Sequence, residues 1–285
     1  MDKPHPTDIF FEELLVVLVI YKMKISESMA FNSLTTALQS MNQKTSIFIY
    51  DNSPSTQTHT RYENWSITYH SDPSNPGVSR AYNKGFNCAK DQGKKWMLLV
   101  DQDTIFEKDF FLKYKAAIEE NVSEKVIVPI LRDSKGIVSP YHFHFGRGTR
   151  LEKISTGQYQ LAEKKFINSG LMISCELFEL SGGFDERYKL DFSDLAFIER
   201  LKSVTRAFLV IDSKCTHSLS ATKRSSLVEI LVRFKIYCQS ANLLGNQTGN
   251  FWVIIWKHLR AILFFCRYFN WRFITLALQN DRESQ

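Results

Sequence analysis

The segment of this 285-residue chain with the clearest chemical potential is Asp101-Gln102-Asp103, which directly follows the apolar run 96–100. An apolar run between polar residues is typical of a buried strand. Two carboxylates one residue apart at the end of such a strand are costly unless a cation meets them. Mg²⁺ and Mn²⁺ suit carboxylate oxygens, often together with substrate phosphates. The segment predicts a metal-assisted site for a diphosphate compound, or alternatively a solvated strand-to-loop turn.

A second acidic strand end is formed by Asp51 and Asn52, which follow the apolar run 46–50. Ligands of open α/β sheets bind beyond the carboxyl ends of the strands, so Asp51 would reach the same crevice as Asp103. A carboxylate there can accept a hydrogen bond from a nucleobase or a ribose hydroxyl. The alternative is an ordinary turn, which Asp-Asn-Ser-Pro also favours.

A polar segment that opens a predicted helix contains Asn75, Gly77, Arg80 and Asn83. Gly77 permits close approach of a backbone or ligand, and the N-terminus of a helix favours an anion. Arg80 would help to neutralise phosphate charge. The segment matches neither a Walker loop nor a dinucleotide-binding fingerprint, so these common nucleotide motifs are excluded.

Two further carboxylates, Asp191 and Asp194, follow Gly182-Gly183, where a short helix is predicted to end. Asp194 is expected in the first turn of a helix, where it would take a proton from an attacking hydroxyl or simply cap the helix. Asp191 lies three residues earlier and would share that helix face. His217 follows the last predicted strand and is a candidate metal or diphosphate contact, although a lone histidine is more often an ordinary surface or core residue.

The elements that must position these residues alternate along most of the chain. Strands are predicted at 14–20, 46–50, 65–69, 96–100, 125–131, 166–174 and 206–211, and helices at 26–41 and 78–89, with a short helix before Gly182. Residues 139–157 are rich in Gly, His and aromatic residues and predict a loop. Alternating strands and helices indicate an α/β fold with a mostly parallel central sheet covered on both faces.

The pattern changes to long helices near residue 225, so we expect an α/β domain over 1–222 and a C-terminal amphipathic helical region over 223–285. Residues 251–278 are apolar and aromatic, and they are interrupted by Lys257, Arg260, Arg267 and Arg272. A helix of this kind lies on an anionic bilayer or packs on the main domain. The four charges argue against a membrane span.

Composition limits the class of protein. The chain is 44% hydrophobic and 23% charged, as is usual for globular proteins. Its five scattered cysteines lack metal-ligand spacing and indicate a reducing compartment. Acidic residues before the first apolar run argue against a secretory signal. The net charge of +6 is modest, and basic residues do not gather in the predicted sheet domain, so no nucleic-acid partner is expected.

Taken in order, these motifs resemble the family 2 inverting glycosyltransferases with the GT-A fold, over residues 14–242. The resemblance rests on Asp51-Asn52-Ser53, on Asn-x-Gly-x-x-x-Ala-x-Asn-x-Gly from Asn75, on Asp101-Gln102-Asp103, on Gly182-Gly183-Phe184-Asp185-Glu186, and on Asp194 followed six residues later by Arg200. The Asp-Gln-Asp form and the segment 190–194 are most similar to bacterial rhamnosyltransferases, which use dTDP-L-rhamnose and build surface polysaccharide.

The resemblance implies a role for each candidate residue. Donor contacts would come from Asp51, Asn52, Asn75, Gly77, Arg80, Asn83, Asp101 and Gln102. A Mn²⁺ or Mg²⁺ ion would be held by Asp103 with Asp101 and His217. Asp194 matches the family's catalytic base, and Asp191 is the second candidate. The chain departs from the family in having Ala196 where a Glu often stands and Ala241 where an Arg often stands, which puts donor or acceptor preference in doubt.

The implied activity is inverting transfer of a sugar, with dTDP-rhamnose favoured, to a hydroxyl of a glycan or polyprenyl-linked acceptor. The implied place is the cytoplasm, at the inner face of the cell membrane. Two other hypotheses remain. A nucleotidyltransferase would carry a Gly-rich loop after the first strand, where this chain has residues 21–25 without glycine. A non-catalytic glycan-binding or membrane-scaffold protein would not be expected to keep Asp51, Asp101, Asp103 and Asp194 together.

Overall fold

A mixed β-sheet forms the centre of the protein. The computed structural model describes residues 8–58, 61–120, 123–217 and 226–282, so the domain boundary expected at 222/223 lies outside the described residues. The strands are β1 (Leu14–Ile20), β2 (Thr45–Asp51), β3 (Trp65–Ser71), β4 (Trp96–Asp101), β5 (Thr104–Ile105), β6 (Val126–Asp133), β7 (Gly136–Ser139), β8 (Tyr141–His144), β9 (Arg147–Arg150), β10 (Gly157–Gln160), β11 (Leu171–Ser174) and β12 (Ala207–His217).

The helices cover the sheet and extend beyond it. They are α1 (Ile9–Glu12), α2 (Met29–Ser40), α3 (Val78–Asp91), α4 (Phe110–Glu120), α5 (Cys175–Leu180), α6 (Ser193–Leu201), α7 (Leu227–Thr248), α8 (Phe251–Tyr268) and α9 (Arg272–Arg282). A 3₁₀ turn occupies Ile25–Glu27.

The sheet order is β10-β12-β6-β11-β4-β1-β2-β3, with β5 paired to β12 and β7 paired to β6. Strands β1 to β4 are all parallel. Strand β11 runs antiparallel to both β4 and β6, and β12 runs parallel to β6. The α/β fold class is therefore confirmed, with a parallel half and a mixed half.

The apolar sequence of β1 explains why this strand lies at the centre. All seven of its residues are buried. Alternate side chains point to opposite faces, so Val16 and Leu18 join the core beneath α2 and α4, whereas Leu15 and Val17 join the core beneath α3, α5 and α6. Each fully buried side chain of this kind contributes about 1.5–3 kcal/mol of transfer free energy.

Several predicted boundaries are wrong. The loop expected at 139–157 contains the hairpin β8–β9, whose two turn residues Phe145 and Gly146 have φ of 49° and 69°. Such a pair suits a two-residue hairpin turn. The strand expected at 166–174 is only β11, and the last strand is longer than expected and ends at His217. The apolar stretch 251–278 forms two helices, α8 and α9, rather than one.

The C-terminal helices pack on one another and on the sheet domain. Their shared core contains Leu231, Phe234, Cys238, Ala261 and Phe273. A second cluster joins Ala241, Leu244 and Val253 of α7 and α8 to Tyr188, Leu195 and Ala196. Lys257 does not belong to an exposed basic face, because it is buried and donates to Asn242 Oδ1 at 2.8 Å. Among the described helices, none is long and apolar enough to cross a membrane.

Candidate active site

A cleft of about 1000 Å³ opens beyond the carboxyl ends of β1 and β4, where α/β sheets bind ligands. Nine of the residues singled out in the sequence line it: Asn52, Asn75, Gly77, Asp101, Gln102, Asp103, Asp191, Asp194 and His217. Asp51, Arg80 and Asn83 are not among its lining residues. The structure thus brings the carboxylates at the end of β4, Asp101 and Asp103, into one cavity with Asp191 and Asp194.

The end of β4 concentrates negative charge. Tyr82 donates a hydrogen bond to Asp101 Oδ1 at 2.8 Å, and Asp103 Oδ1 lies 3.6 Å from Nδ1 of His217. Burial raises the pKa of Asp101, and the neighbouring charge of Asp103 raises it further. Two carboxylates that oppose each other's ionisation in this way are stabilised by a cation.

His217 is held as part of the protein framework rather than as one of three clustered ligands. Its Nδ1 lies 3.1 Å from the hydroxyl of Thr104, because β12 pairs with β5 at this point. Within the described ranges, no group of three or more His, Cys, Asp or Glu side chains is arranged to hold a metal ion. Asp101 and Asp103 still fit Mg²⁺ or Mn²⁺, which proteins often bind through one or two carboxylates plus substrate phosphates.

Asp194 lies in the first turn of α6, as predicted. Its Oδ1 accepts from the Leu195 amide at 2.8 Å, and the Tyr141 hydroxyl donates to Oδ2 at 3.3 Å. Burial raises the pKa of Asp194 to about 6, and these two hydrogen bonds only partly oppose that effect. A carboxylate with a pKa near neutrality is well matched to accept a proton at physiological pH.

Asp191 differs from Asp194 in its surroundings. It precedes α6 instead of lying on it, so the expectation that both share one helix face is wrong. Arg233 of α7 donates to Asp191 Oδ1 at 2.9 Å, whereas Oδ2 is buried without a hydrogen-bond partner among the described residues. Burial raises its pKa, and the guanidinium of Arg233 opposes that shift. Asp191 is thus fixed by a cation that Asp194 lacks.

Asp51 is fully buried and its oxygens are occupied. It accepts from the Ser53 amide at 2.8 Å, from Gln57 Nε2 at 2.7 Å and from the Tyr69 hydroxyl at 2.7 Å. These bonds shape the loop after β2. The adjacent Asn52 lines the cleft, and its buried Oδ1 has no partner among the described residues, so it is free to meet a ligand.

The start of α3 contacts the backbone of the segment before α6. The Val78 amide donates to the Lys189 carbonyl at 2.9 Å. Gly77 has a φ of 106°, and a Cβ there would lie 2.1 Å from the same carbonyl oxygen. The glycine is therefore needed for the close approach of the Lys189 backbone, which engages the Val78 amide at this end of the helix.

Arg80 and Asn83 hold the segment before α6. Arg80 Nε donates to Glu186 at 2.8 Å, and Asn83 exchanges hydrogen bonds with the backbone of Phe184, both at 2.9 Å. These contacts fix the Gly-Gly-Phe-Asp-Glu motif onto α3. The expectation that Arg80 faces a phosphate has no support in this geometry.

Sequence reasoning missed three residues of the cleft region. Tyr82 contacts Asp101, and Arg233 contacts Asp191 from a helix outside the sheet domain. Asn168 lines the cleft with a buried Oδ1 that has no partner in the described part of the chain. The Asn-Ser-Gly triplet before β11 was the only sequence signal for Asn168, because such residues often mark a ligand-facing turn.

Residues 17–178, more than half of the chain, match the family described as Glycosyl transferase family 2. The chain belongs to this family. The resemblance found in its motifs is thereby confirmed. The matched region begins within β1 and ends within α5, so it does not include β12.

A curated relative of this glycosyltransferase is the dTDP-rhamnosyl transferase RfbF of Shigella flexneri, which is 28% identical over 149 residues. The match covers 51% of this chain and 50% of RfbF, so the chain spans about half the length of the curated relative it matches.

The fold of this glycosyltransferase is similar to that of S. aureus TarS. The structure of TarS 1–349 with UDP superimposes with a TM-score of 0.51 at 14% identity, over 96% of this chain and 92% of that one. The structure of TarS 1–349 with UDP-GlcNAc superimposes with a TM-score of 0.50 at 15% identity, over 82% of this chain and 67% of that one. The longer TarS chain is matched over 39% of its length. At this level of identity the likeness establishes the GT-A fold.

Proposed function

We propose that this protein transfers a sugar from a nucleotide-sugar donor to an acceptor hydroxyl, with inversion at the anomeric carbon. The observation that carries the proposal is Asp194, a carboxylate with a pKa of about 6 that lies in the same cleft as Asp101 and Asp103. Asp101 and Asp103 suit a metal ion and a leaving diphosphate, and Asp194 suits removal of a proton.

Asp194 would take the proton of the acceptor hydroxyl as that oxygen attacks the anomeric carbon from the face opposite the diphosphate. The Tyr141 hydroxyl, 3.3 Å from Oδ2, would keep this carboxylate oriented. Asp103 and Asp101 would hold a Mg²⁺ or Mn²⁺ ion, which when bound supplies positive charge to the leaving diphosphate. Asn52 and Asn168 would offer the nucleotide sugar two buried amide oxygens that have no hydrogen-bond partner among the described residues.

The donor we favour is dTDP-rhamnose. The Asp-Gln-Asp form, the segment 190–194 and the similarity to the S. flexneri dTDP-rhamnosyl transferase support it. The TarS complexes with UDP and UDP-GlcNAc make UDP-sugars the necessary comparison.

The decisive experiment measures donor turnover and nucleotide binding separately. Wild-type protein with Mn²⁺ should release nucleoside diphosphate from dTDP-rhamnose, and EDTA should abolish the release. Asp194→Asn should lower the rate by about 10²–10⁴-fold while keeping Mn²⁺-dependent stabilisation by dTDP. Asp191→Asn is the matched variant. Its turnover rate should fall less than that of Asp194→Asn, because Arg233 already pairs with the Asp191 carboxylate. Near-normal turnover by a folded Asp194→Asn protein would exclude Asp194 as the base.

The proposed location is the inner surface of the cell membrane, where a glycan or polyprenyl-linked acceptor would be met. An apolar strip on α8 supports it, formed by the exposed side chains of Trp252, Ile255, Leu259, Ile262 and Leu263. An amphipathic helix with such a face binds at the bilayer interface. Leu263→Glu should reduce sedimentation with anionic vesicles, whereas Leu180→Glu, an equally exposed leucine on α5, should not. Equal sedimentation of both variants would argue against the membrane role.

A further inference from the structure

A small crevice between α7 and α8 adjoins the reaction cleft. Its volume is about 130 Å³, and it is shaped by Asp191, Glu229, Arg233, Tyr237, Arg260 and Phe264. Three of these residues, Asp191, Glu229 and Arg233, also line the reaction cleft. The two spaces are therefore neighbours. We call the smaller space the arginine crevice.

The two acidic residues of the arginine crevice are already engaged. Asp191 accepts from Arg233 at 2.9 Å. Glu229 caps the start of α7 by accepting from the Ser226 amide at 2.9 Å, and it pairs with Lys22 at 3.4 Å. Neither carboxylate lies within ion-pair distance of Arg260 in the described structure.

Arg260 is exposed and is held by aromatic rings rather than by an acid. Its guanidinium lies 4.4 Å from the ring centroid of Tyr237 and 5.4 Å from that of Phe264. Stacking on a ring fixes the plane of a guanidinium and leaves its N–H groups available at the edge. Such a pre-oriented fork suits the oxygens of a phosphate group.

The wall of the reaction cleft beside the crevice is apolar. Val228, Val232 and Ile236 recur every fourth residue along α7 and line the cleft, and the first two are strongly exposed. A molecule lying along this wall would contact an apolar surface and the two arginines. Asp194, the proposed base, lines the same cleft. The acceptor side of the site thus combines apolar and cationic character.

We propose that the arginine crevice binds a phosphate group of the acceptor and so positions the acceptor hydroxyl near Asp194. This inference rests on the proposed function, since it assigns an acceptor contact to the same site. Arg260 is the main anion contact and Arg233 the second, bridging the anion to Asp191. The phosphate belongs either to a lipid headgroup or to a soluble phosphate ester.

The test uses inorganic phosphate and diphosphate as probes, with EDTA present and ionic strength matched by chloride. Both probes should raise the melting temperature of the wild-type protein, and Arg260→Gln should weaken their apparent affinity about tenfold or more. Arg267→Gln is the matched control. Arg267 is exposed on the same helix, lies 5.5 Å from the Tyr268 ring and is seven residues, about 10 Å, further along. Equal affinities in all three proteins would overturn the proposal.

A second arm identifies the source of the phosphate. Vesicles of phosphatidylcholine with and without phosphatidic acid are sedimented with each protein. Binding that needs both phosphatidic acid and Arg260 assigns the crevice to a lipid headgroup. Arg260-dependent binding of the free ions alone assigns it to a soluble phosphate ester. If vesicle and ion binding are both independent of Arg260, the crevice is not an anion site.

The proposed function is tested separately in the same proteins by stabilisation with dTDP and Mn²⁺. Arg260→Gln should keep this response, because Arg260 lies outside the reaction cleft. If dTDP with Mn²⁺ does not stabilise the wild-type protein, the glycosyltransfer proposal is refuted. Arg260-dependent phosphate binding would then still show that the crevice is an anion site. Nucleotide binding without Arg260-dependent phosphate binding would refute only the crevice.

Discussion

Replacing Asp194 by Asn should stabilise the protein at neutral pH while removing its activity. Burial raises the pKa of the folded carboxyl to about 6 from an ordinary value of 3.8. The folded state therefore holds the proton more tightly than the unfolded state. The stability from this group is fully present below about pH 3.8 and is lost as the pH rises through about 6. The gap corresponds to about 3 kcal/mol as an upper limit.

The loss of stability can be measured at pH values where the protein is easily handled. Between about pH 5 and about pH 7.5, the folded carboxyl loses its proton while the unfolded one is already ionised. The wild-type protein should lose about 1–2 kcal/mol of unfolding free energy through this group, whereas the Asn variant cannot titrate there. Urea unfolding of both proteins at the two pH values, in EDTA, gives the difference directly.

Asp133→Asn provides a matched control, because the pKa of Asp133 is lowered whereas that of Asp194 is raised. The guanidinium of Arg150 holds the pKa of Asp133 at about 2. This group is ionised in both states throughout the range above, so the difference between Asp133→Asn and wild type should stay constant. A constant difference for Asp194→Asn as well would refute the raised pKa, and with it the physical basis for Asp194 as a base at neutral pH.

Three other substitutions test the positions of neighbouring residues. Gly77→Ala should destabilise the fold by about 3 kcal/mol or more in urea unfolding, because the added Cβ would meet the Lys189 carbonyl at a strained φ; near-wild-type stability would contradict the close contact. Asp103→Asn should reduce the Mn²⁺-dependent thermal shift with dTDP to its value in EDTA, and an unchanged shift would remove Asp103 from the metal site. Arg80→Gln should leave the donor KM within about twofold, because Arg80 pairs with Glu186 at an exposed position and does not line the cleft; a large rise in KM would restore a donor role.

The parallel half of the sheet could be predicted because its strands are nearly uniform apolar runs. Strand β1 is buried on both faces, and such a run has few alternatives in a chain of this composition. Helix α4 was also present in the sequence, since Phe110, Tyr114 and Ala117 recur at helical spacing, but it was not identified. The hairpin β8–β9 was harder, because Phe145 adopts a positive φ that its residue type rarely favours.

The chemical residues were easier to identify than their partners. Asp51 and Asp103 were predicted to reach one crevice, because strand ends converge at one edge of a sheet. Asp103 lines the cleft and Asp51 does not, whereas Asp194, which the resemblance suggested as the base, lies in the same cleft as Asp103. The contact between Gly77 and Lys189 could not be predicted, since a local motif does not reveal which distant segment packs against it. For the same reason, sequence reasoning assigned a phosphate to Arg80, which instead pairs with the Glu186 side chain.

The C-terminal helices contribute to the reactive group itself, although the sequence separates them from the sheet domain. Ala241 and Leu244 of α7 pack against Leu195 and Ala196, which directly follow Asp194 on α6. Burial is the largest cause of the raised pKa of Asp194, and α7 packs against the two residues that follow this carboxylate on α6. If α7 moved away, water would reach this turn and the pKa would fall toward its ordinary value. The carboxyl would then be more acidic, so the packing of α7 against α6 supports the raised pKa of Asp194.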